Sequence, residues 1–396
     1  MTTRPIKNPY RPRPAAPPSL LAGRGEHVAR FGKMLRGAPE VPANLRITGL
    51  RGVGKSALLR ELDTVATADG WVVARFQVEP RHDTERSLAE SILGVAEAAQ
   101  RRMSRAHKVR AQVPAASEPD ARELITSLED VALGLARRQE TNDALVESLF
   151  GAVKDVVEGG HTGFAILLDE AQLIQDDMNR HGDHPLSMLL DAVRALQEAG
   201  VPVALVLCGL PSLRTHVQKA HTSSDTMFTD LEVGDLDIDS ARDAFVGPLE
   251  EAGLTADDDL VVRVLEAVEG HPLFLQLWGA ELWDAAQDAG LDHLTVELLD
   301  VVEPDIRRRL DEDFYAERID ALTPSQQELL AAAAGCEYPP LTTASVRDRT
   351  DKSDGNINIL MGRLVDQGIL HRLEKGQYAY TVPGLHGYLQ RRMCLV

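Results

Sequence analysis

The chain has 396 residues, of which 44% are hydrophobic and 26% charged, and a formal net charge of −19. That composition belongs to a globular protein of two or three domains and excludes a wholly disordered chain, a collagen-like fibre and a coiled-coil rod. No apolar run approaches the roughly 18 residues of a membrane span, and the two longest, 163–168 and 201–211, suit buried strands. Arg4, Lys7, Arg11 and Arg13 precede no apolar core, so no secretory signal and no membrane partner are expected. Cys208, Cys336 and Cys394 are too scattered for a disulfide framework or a cysteine-based zinc site, which predicts a reducing, cytoplasmic compartment.

The charge is uneven. Residues 1–20 carry +4 with no acid, residues 321–396 carry +1, and the middle carries −24. Bulk attraction to nucleic acid is therefore excluded, while both ends are free of the acidity.

Residues 1–19 hold six prolines, which forbid helix and predict an extended basic arm, either a disordered tail or a strap laid across a domain. Helical spacing of Val28, Phe31 and Leu35 predicts a helix over 25–36. A strand over 44–49, a glycine loop, a helix from Ser56 to Val65 and a strand over 71–78 form a β–loop–α–β unit, the start of a parallel sheet. Residues 84–158 read as helical apart from a loop at 113–119. Residues 163–169 and 201–208 read as buried central strands flanking a helix over 185–199, and a further helix and strand lead to Val233.

The pattern then changes. Residues 239–252, 256–269 and 272–288 read as three helices without intervening strands, and 295–318 as a linking helix. Thr323 and Pro324 start a helix, and 342–349 and 356–367 are two more. Strands over 369–373 and 378–382 flank a turn at Glu374, Lys375 and Gly376. Three helices and a hairpin are the order of a winged helix-turn-helix. The fold class is thus α/β: a P-loop parallel sheet, a helical lid and a C-terminal winged helix. The segments are 1–19 (arm), 20–235 (nucleotide domain), 236–320 (lid and linker) and 321–396 (winged helix).

The strongest chemical signal is Gly49-Leu50-Arg51-Gly52-Val53-Gly54-Lys55-Ser56, which matches the phosphate-binding P-loop pattern. Glycines let backbone N–H groups turn inward around phosphates, and the following helix points its positive end at the anion. Lys55 neutralises phosphate charge, the Ser56 hydroxyl can hold Mg²⁺, and Ala57 continues the helix start. A second signal is the apolar run ending in Asp169 and Glu170, with Gln172 close by. Asp169 is the second candidate for Mg²⁺, and Glu170 is the candidate general base for an attacking water. After the strand ending at Cys208, Gly209 and Ser212 offer little as a γ-phosphate sensor, and a tight structural turn is expected there.

Together these residues resemble the AAA+ superfamily, and within it the branch of STAND signalling ATPases and archaeal Orc/Cdc-type initiators. The resemblance spans about residues 17–396. It implies ATP and Mg²⁺ as ligands; slow hydrolysis is expected from a departure given below, a missing arginine. The segment Leu21-Ala22-Gly23-Arg24 is similar to the one that packs on adenine in that branch, which makes Leu21 and Arg24 base-site candidates. Glu269-Gly270-His271-Pro272 is similar to the lid motif whose proline touches the nucleotide, so Pro272 is a candidate contact and His271 either shares that role or caps the helix. The arginine that relatives carry ahead of the lid is missing: Asp225, Thr226, Met227 and Phe228 stand there, and Arg214 is a poor substitute. The winged helix would engage double-stranded DNA or a protein partner. Asn356, Asn358 and Arg363 are the base-edge candidates, and Lys352, Arg372 and Lys375 the phosphate candidates. Three readings follow: an ATP-driven switch, a DNA-assembling homo-oligomeric regulator, or a nucleotide-bound adaptor that does not turn ATP over.

Overall fold

The β-branched and leucine-rich runs of the first half pair into one five-stranded sheet. The computed structural model describes residues 7–12, 18–110, 142–176, 183–220 and 224–393. The chain divides into two compact units: 24–49 with 58–233, and 1–23 with 50–57 and 234–396.

In the first unit the strands are β1 (Leu45–Thr48), β2 (Trp71–Gln77), β3 (Gly163–Asp169), β4 (Val203–Gly209) and β5 (Thr229–Glu232). Their order is β2-β3-β4-β1-β5, and every pairing is parallel. A parallel sheet is covered on both faces, and β3 and β4 are apolar and buried along almost their whole length for that reason. The helices are α1 (Gly25–Arg36), α2 (Lys55–Ala68), α3 (Glu85–Arg110), α4 (Asn142–Glu158), α5 (Pro185–Glu198), α6 (Ser212–Ala220) and α7 (Ser224–Met227). Leu88 and Ile92 of α3, Val153 and Val156 of α4 and Leu189 and Val193 of α5 share a core with Phe164, Ile166, Leu205 and Leu207. The loop expected at 113–119 lies outside the described residues.

Asn44 and Arg46 are among the polar side chains sealed inside this unit. Asn44 accepts the Leu205 N–H at 3.0 Å and bonds Gln197. Arg46 on β1, 1% exposed, makes a two-pronged bond to Asp230 on β5 at 2.6 and 2.9 Å, which holds the Asp230 carboxyl below its ordinary range. Arg214 reaches the same carboxylate at 2.7 Å.

The second unit opens with α8 (Ile238–Glu251), α9 (Asp258–Val268) and α10 (Pro272–Ala289). Two two-residue strands, β6 (Thr255–Ala256) and β7 (His293–Leu294), pair in parallel where the sequence predicts no strand; two residues are too few to show a periodicity. The linking helix is α-helical over α11 (Val296–Arg309), widens to a π-helix over Leu310–Ala316, and ends as α12 (Glu317–Asp320). The described part of the arm is a strap. Asn8 bonds the Ala280 carbonyl and Asp284, Tyr10 donates its hydroxyl to the Phe245 carbonyl, and the Arg11 N–H meets Gln276. Gly279 leaves the room in which the Tyr10 ring lies, since a Cβ there would overlap it.

The C-terminal part has α13 (Pro324–Ala334), β8 (Leu341–Thr342), α14 (Thr343–Arg347), α15 (Asp354–Asp366), β9 (Leu370–Glu374), β10 (Gln377–Tyr380) and α16 (Leu385–Arg392). The antiparallel order β8-β10-β9 and three preceding helix segments form a winged-helix-like α/β region. The second helix is shorter than the sequence predicts because Leu341 and Thr342 join the hairpin, and α16 is an additional helix whose Tyr388 and Leu389 are buried.

Candidate functional site

β1 runs straight into the glycine loop, and the Gly49 N–H is held by the Gly209 carbonyl of β4 at 3.2 Å. Gly52 and Gly54 take φ +85° and +91°, a left-handed backbone that other residues rarely adopt. A Cβ on Gly54 would meet nothing within 4 Å, so the loop opens there to free space. Lys55 is the first residue of α2, only 7% exposed, and its Nζ donates to the Leu50 carbonyl at 2.7 Å. Ser56 and Ala57 are half-buried in the first turn, Val53 is buried and Arg51 is exposed. The first turn of α2 holds no acid. A cation, helix-terminal N–H groups and an open glycine cradle suit a phosphate, and a hydroxyl suits a hard divalent ion.

At the same end of the parallel sheet, β3 delivers the two acids. The Asp169 carbonyl accepts the Val78 N–H at 2.8 Å, and Asp169 Oδ1 accepts the Glu170 N–H at 3.0 Å. Glu170 sits at φ +54°, an unusual conformation for a residue with a side chain. Its Oε2 accepts from Gln172 Nε2 at 2.5 Å, while Gln172 Oε1 accepts the Leu210 N–H at 3.0 Å. Gly209 is the extended last residue of β4, where the sequence predicts a tight turn. Its missing side chain makes room for Gln172 Oε1, which a Cβ there would overlap.

The segment just before α10 meets the glycine loop through His271. The ring is fully buried, and its Nε2 donates to the Arg51 carbonyl at 3.0 Å, fixing the tautomer with a bare Nδ1. His271 precedes α10 but makes no side-chain cap. Burial lowers its pKa to about 4, with Lys55 and Arg318 pushing the same way. Pro272 is the first residue of α10. The His271 ring lies 4.5 Å from Phe274, which packs edge-on to Phe314 and Tyr315 at 5.0 and 6.1 Å. Tyr315 stacks on Tyr388 at 5.2 Å and donates its hydroxyl to the Pro383 carbonyl at 2.5 Å. Both Phe314 and Tyr315 belong to the π-helical segment, a form that often marks a functional site.

The family model of the AAA ATPase domain matches residues 20–218, just over half of the chain. The chain belongs to the AAA ATPase family. Residues 312–389 of this ATPase match a second model, described as a domain of unknown function. No curated protein is similar to it in sequence. Among solved structures it resembles the Walker-type ATPase of Pyrococcus abyssi, with 18% identity over 96% of this chain and 98% of that one and a TM-score of 0.61. It also resembles the Aeropyrum pernix ORC2 protein, solved as ADPNP–ADP complexes, with 12% identity over 97% of each chain and a TM-score of 0.58. At these identities the likeness is one of fold.

The remaining candidates of this ATPase are placed as follows. Leu21 is half-buried in the lead-in to α1, and the neighbouring Gly23, at φ +67°, lies against Ser240 of α8. Arg24 is buried just before α1. In the C-terminal region Asn356, Asn358 and Arg363 are exposed on α15, and Lys375 is exposed at the hairpin turn. Lys352 is drawn into an ion pair with Glu328 at 2.7 Å, and Arg372 Nη2 lies 3.4 Å from the Tyr378 hydroxyl. Neither the Gln172 side-chain bonds nor the His271 ring bond follows from the sequence. The only hint of the first was its nearness to Glu170, and of the second its place beside Pro272. No helix among the described residues is long and apolar enough to cross a membrane.

Proposed function

We propose that this ATPase is a switch that binds ATP with Mg²⁺, hydrolyses it slowly and passes its state to the C-terminal region, which engages double-stranded DNA or a protein partner. The observation that carries this reading is the open glycine cradle with Lys55 and the start of α2 behind it, in a chain whose β3 ends in Asp169 and Glu170.

Gly52, Gly54 and the N–H groups at the start of α2 would wrap the β- and γ-phosphates, and Lys55 would leave the Leu50 carbonyl to meet them. Ser56 and Asp169 would hold Mg²⁺, which when bound neutralises phosphate charge. Glu170 orients the attacking water and takes its proton. Pro272, Leu21 and Arg24 are the proposed lid and base contacts. His271 senses the loop through the Arg51 carbonyl, and the rings of Phe274, Phe314 and Tyr315 carry a change there to Pro383 and Tyr388.

Titration with a fluorescent ATP analogue, followed by light scattering with and without duplex DNA, tests the reading. Saturable nucleotide binding with an ATP-dependent gain of mass on DNA supports the DNA arm. Nucleotide binding without that gain moves the output to a protein partner, and absence of nucleotide binding contradicts the whole proposal.

A further inference from the structure

The amide of Gln172 bridges two places that matter for chemistry. The side chain is 5% exposed. Its orientation is forced: the Leu210 N–H can only donate, so the amide oxygen must face it at 3.0 Å. The NH₂ group is thereby turned to Glu170, whose Oε2 it meets at 2.5 Å. The backbone fixes the amide from below, because the Gln172 carbonyl lies 3.2 Å from His216 Nδ1 on α6 and accepts from Gln175 Nε2 at 3.2 Å. Gly209 supplies the space the amide oxygen occupies. A carboxylate on a left-handed residue at a strand end has several rotamers open to it, and this bond selects one.

We infer that Gln172 is the positioning residue of the hydrolytic step, holding the Glu170 carboxylate in its working orientation and tying it to the end of β4. The side-chain group that meets the Leu210 N–H just past that strand end is the Gln172 amide, brought across from the end of β3. The inference rests on the hydrolytic reading of Glu170.

The test uses two near-isosteric variants of the full chain. Gln172→Glu keeps an acceptor for the Leu210 N–H but replaces the donor to Glu170 with a second carboxylate. Gln172→Met removes both bonds at similar volume and without charge. Steady-state ATP turnover and equilibrium binding of a fluorescent ADP analogue are measured for both, alone and combined with Glu170→Gln. The expected result is a fall in kcat of about tenfold or more in each single variant, KM and ADP affinity within about twofold of wild type, and no further loss in the Glu170→Gln background. Wild-type kcat in Gln172→Met overturns the inference, and so does a loss that is additive with Glu170→Gln. If wild-type turnover is itself insensitive to Glu170→Gln, the hydrolytic reading fails and takes the positioning role with it. If turnover needs Glu170 but not Gln172, only the positioning role fails.

Discussion

His271 Nε2 donates to the carbonyl of Arg51 at 3.0 Å, so a residue just before α10 holds the glycine loop by its backbone. This explains why position 52 is glycine twice over. Its φ is +85°, and a Cβ would lie within 2.7 Å of His271 Nε2. Gly52→Ala therefore combines left-handed strain, about 1–2 kcal/mol, with a collision that must displace the ring. The variant should melt several degrees lower and lose nucleotide affinity. A melting curve and a nucleotide titration matching wild type would contradict this packing.

The same histidine predicts a pH dependence. Its pKa falls from 6.5 to about 4 on folding, with burial as the main cause. Between those values the unfolded chain binds the proton and the folded chain does not, so stability rises with pH across the window. The contribution is complete above about pH 6.5 and is lost as pH falls through 4; its ceiling is of the order of 3 kcal/mol. Denaturant titrations at pH 7 and pH 5 should show a larger drop for wild type than for His271→Asn. Equal drops would show that the ring does not titrate in this way.

Tyr10 pins the arm to α8 and α10. Its ring is 3% exposed, lies over Gly279 and donates to the Phe245 carbonyl. Tyr10→Ala should cost about 2–4 kcal/mol and Tyr10→Phe about 1 kcal/mol in urea denaturation. An arm that merely trails in solvent predicts no change in either.

Lys55→Ala removes the buried ammonium from the cradle while leaving the glycine backbone in place. A hydrogen bond to a charged group contributes roughly 1.5–3 kcal/mol, so nucleotide affinity should fall by about 10- to 100-fold. Isothermal calorimetry with ATP reads it directly, and an unchanged affinity would remove the P-loop from the account.

The sheet and glycine loop were legible because each rests on local chemistry. The apolar runs at 163–169 and 203–209 are long enough only for buried parallel strands, and the glycine spacing before Lys55 has few other uses. The strand order was not legible, since pairing β1 with both β4 and β5 depends on contacts far apart in sequence, including the Arg46–Asp230 bond. The π-helical turn at 310–316 reads as ordinary helix in the sequence because its side-chain pattern barely differs from that of an α-helix. Gln172 and His271 escaped for a related reason. Each acts through one bond to a residue whose position only the fold determines, Leu210 in one case and Arg51 in the other.

In the proposed mechanism Glu170 takes the proton of a water attacking ATP held in the glycine loop. Turnover of ATP by wild type and Glu170→Gln, with nucleotide affinity measured on both, tests it most directly. Glu170→Gln should bind ATP as wild type does and lose turnover by about 100-fold or more. Equal turnover in the two proteins would contradict a role for Glu170, and no turnover in either with nucleotide firmly bound would leave the nucleotide as a fixed structural ligand.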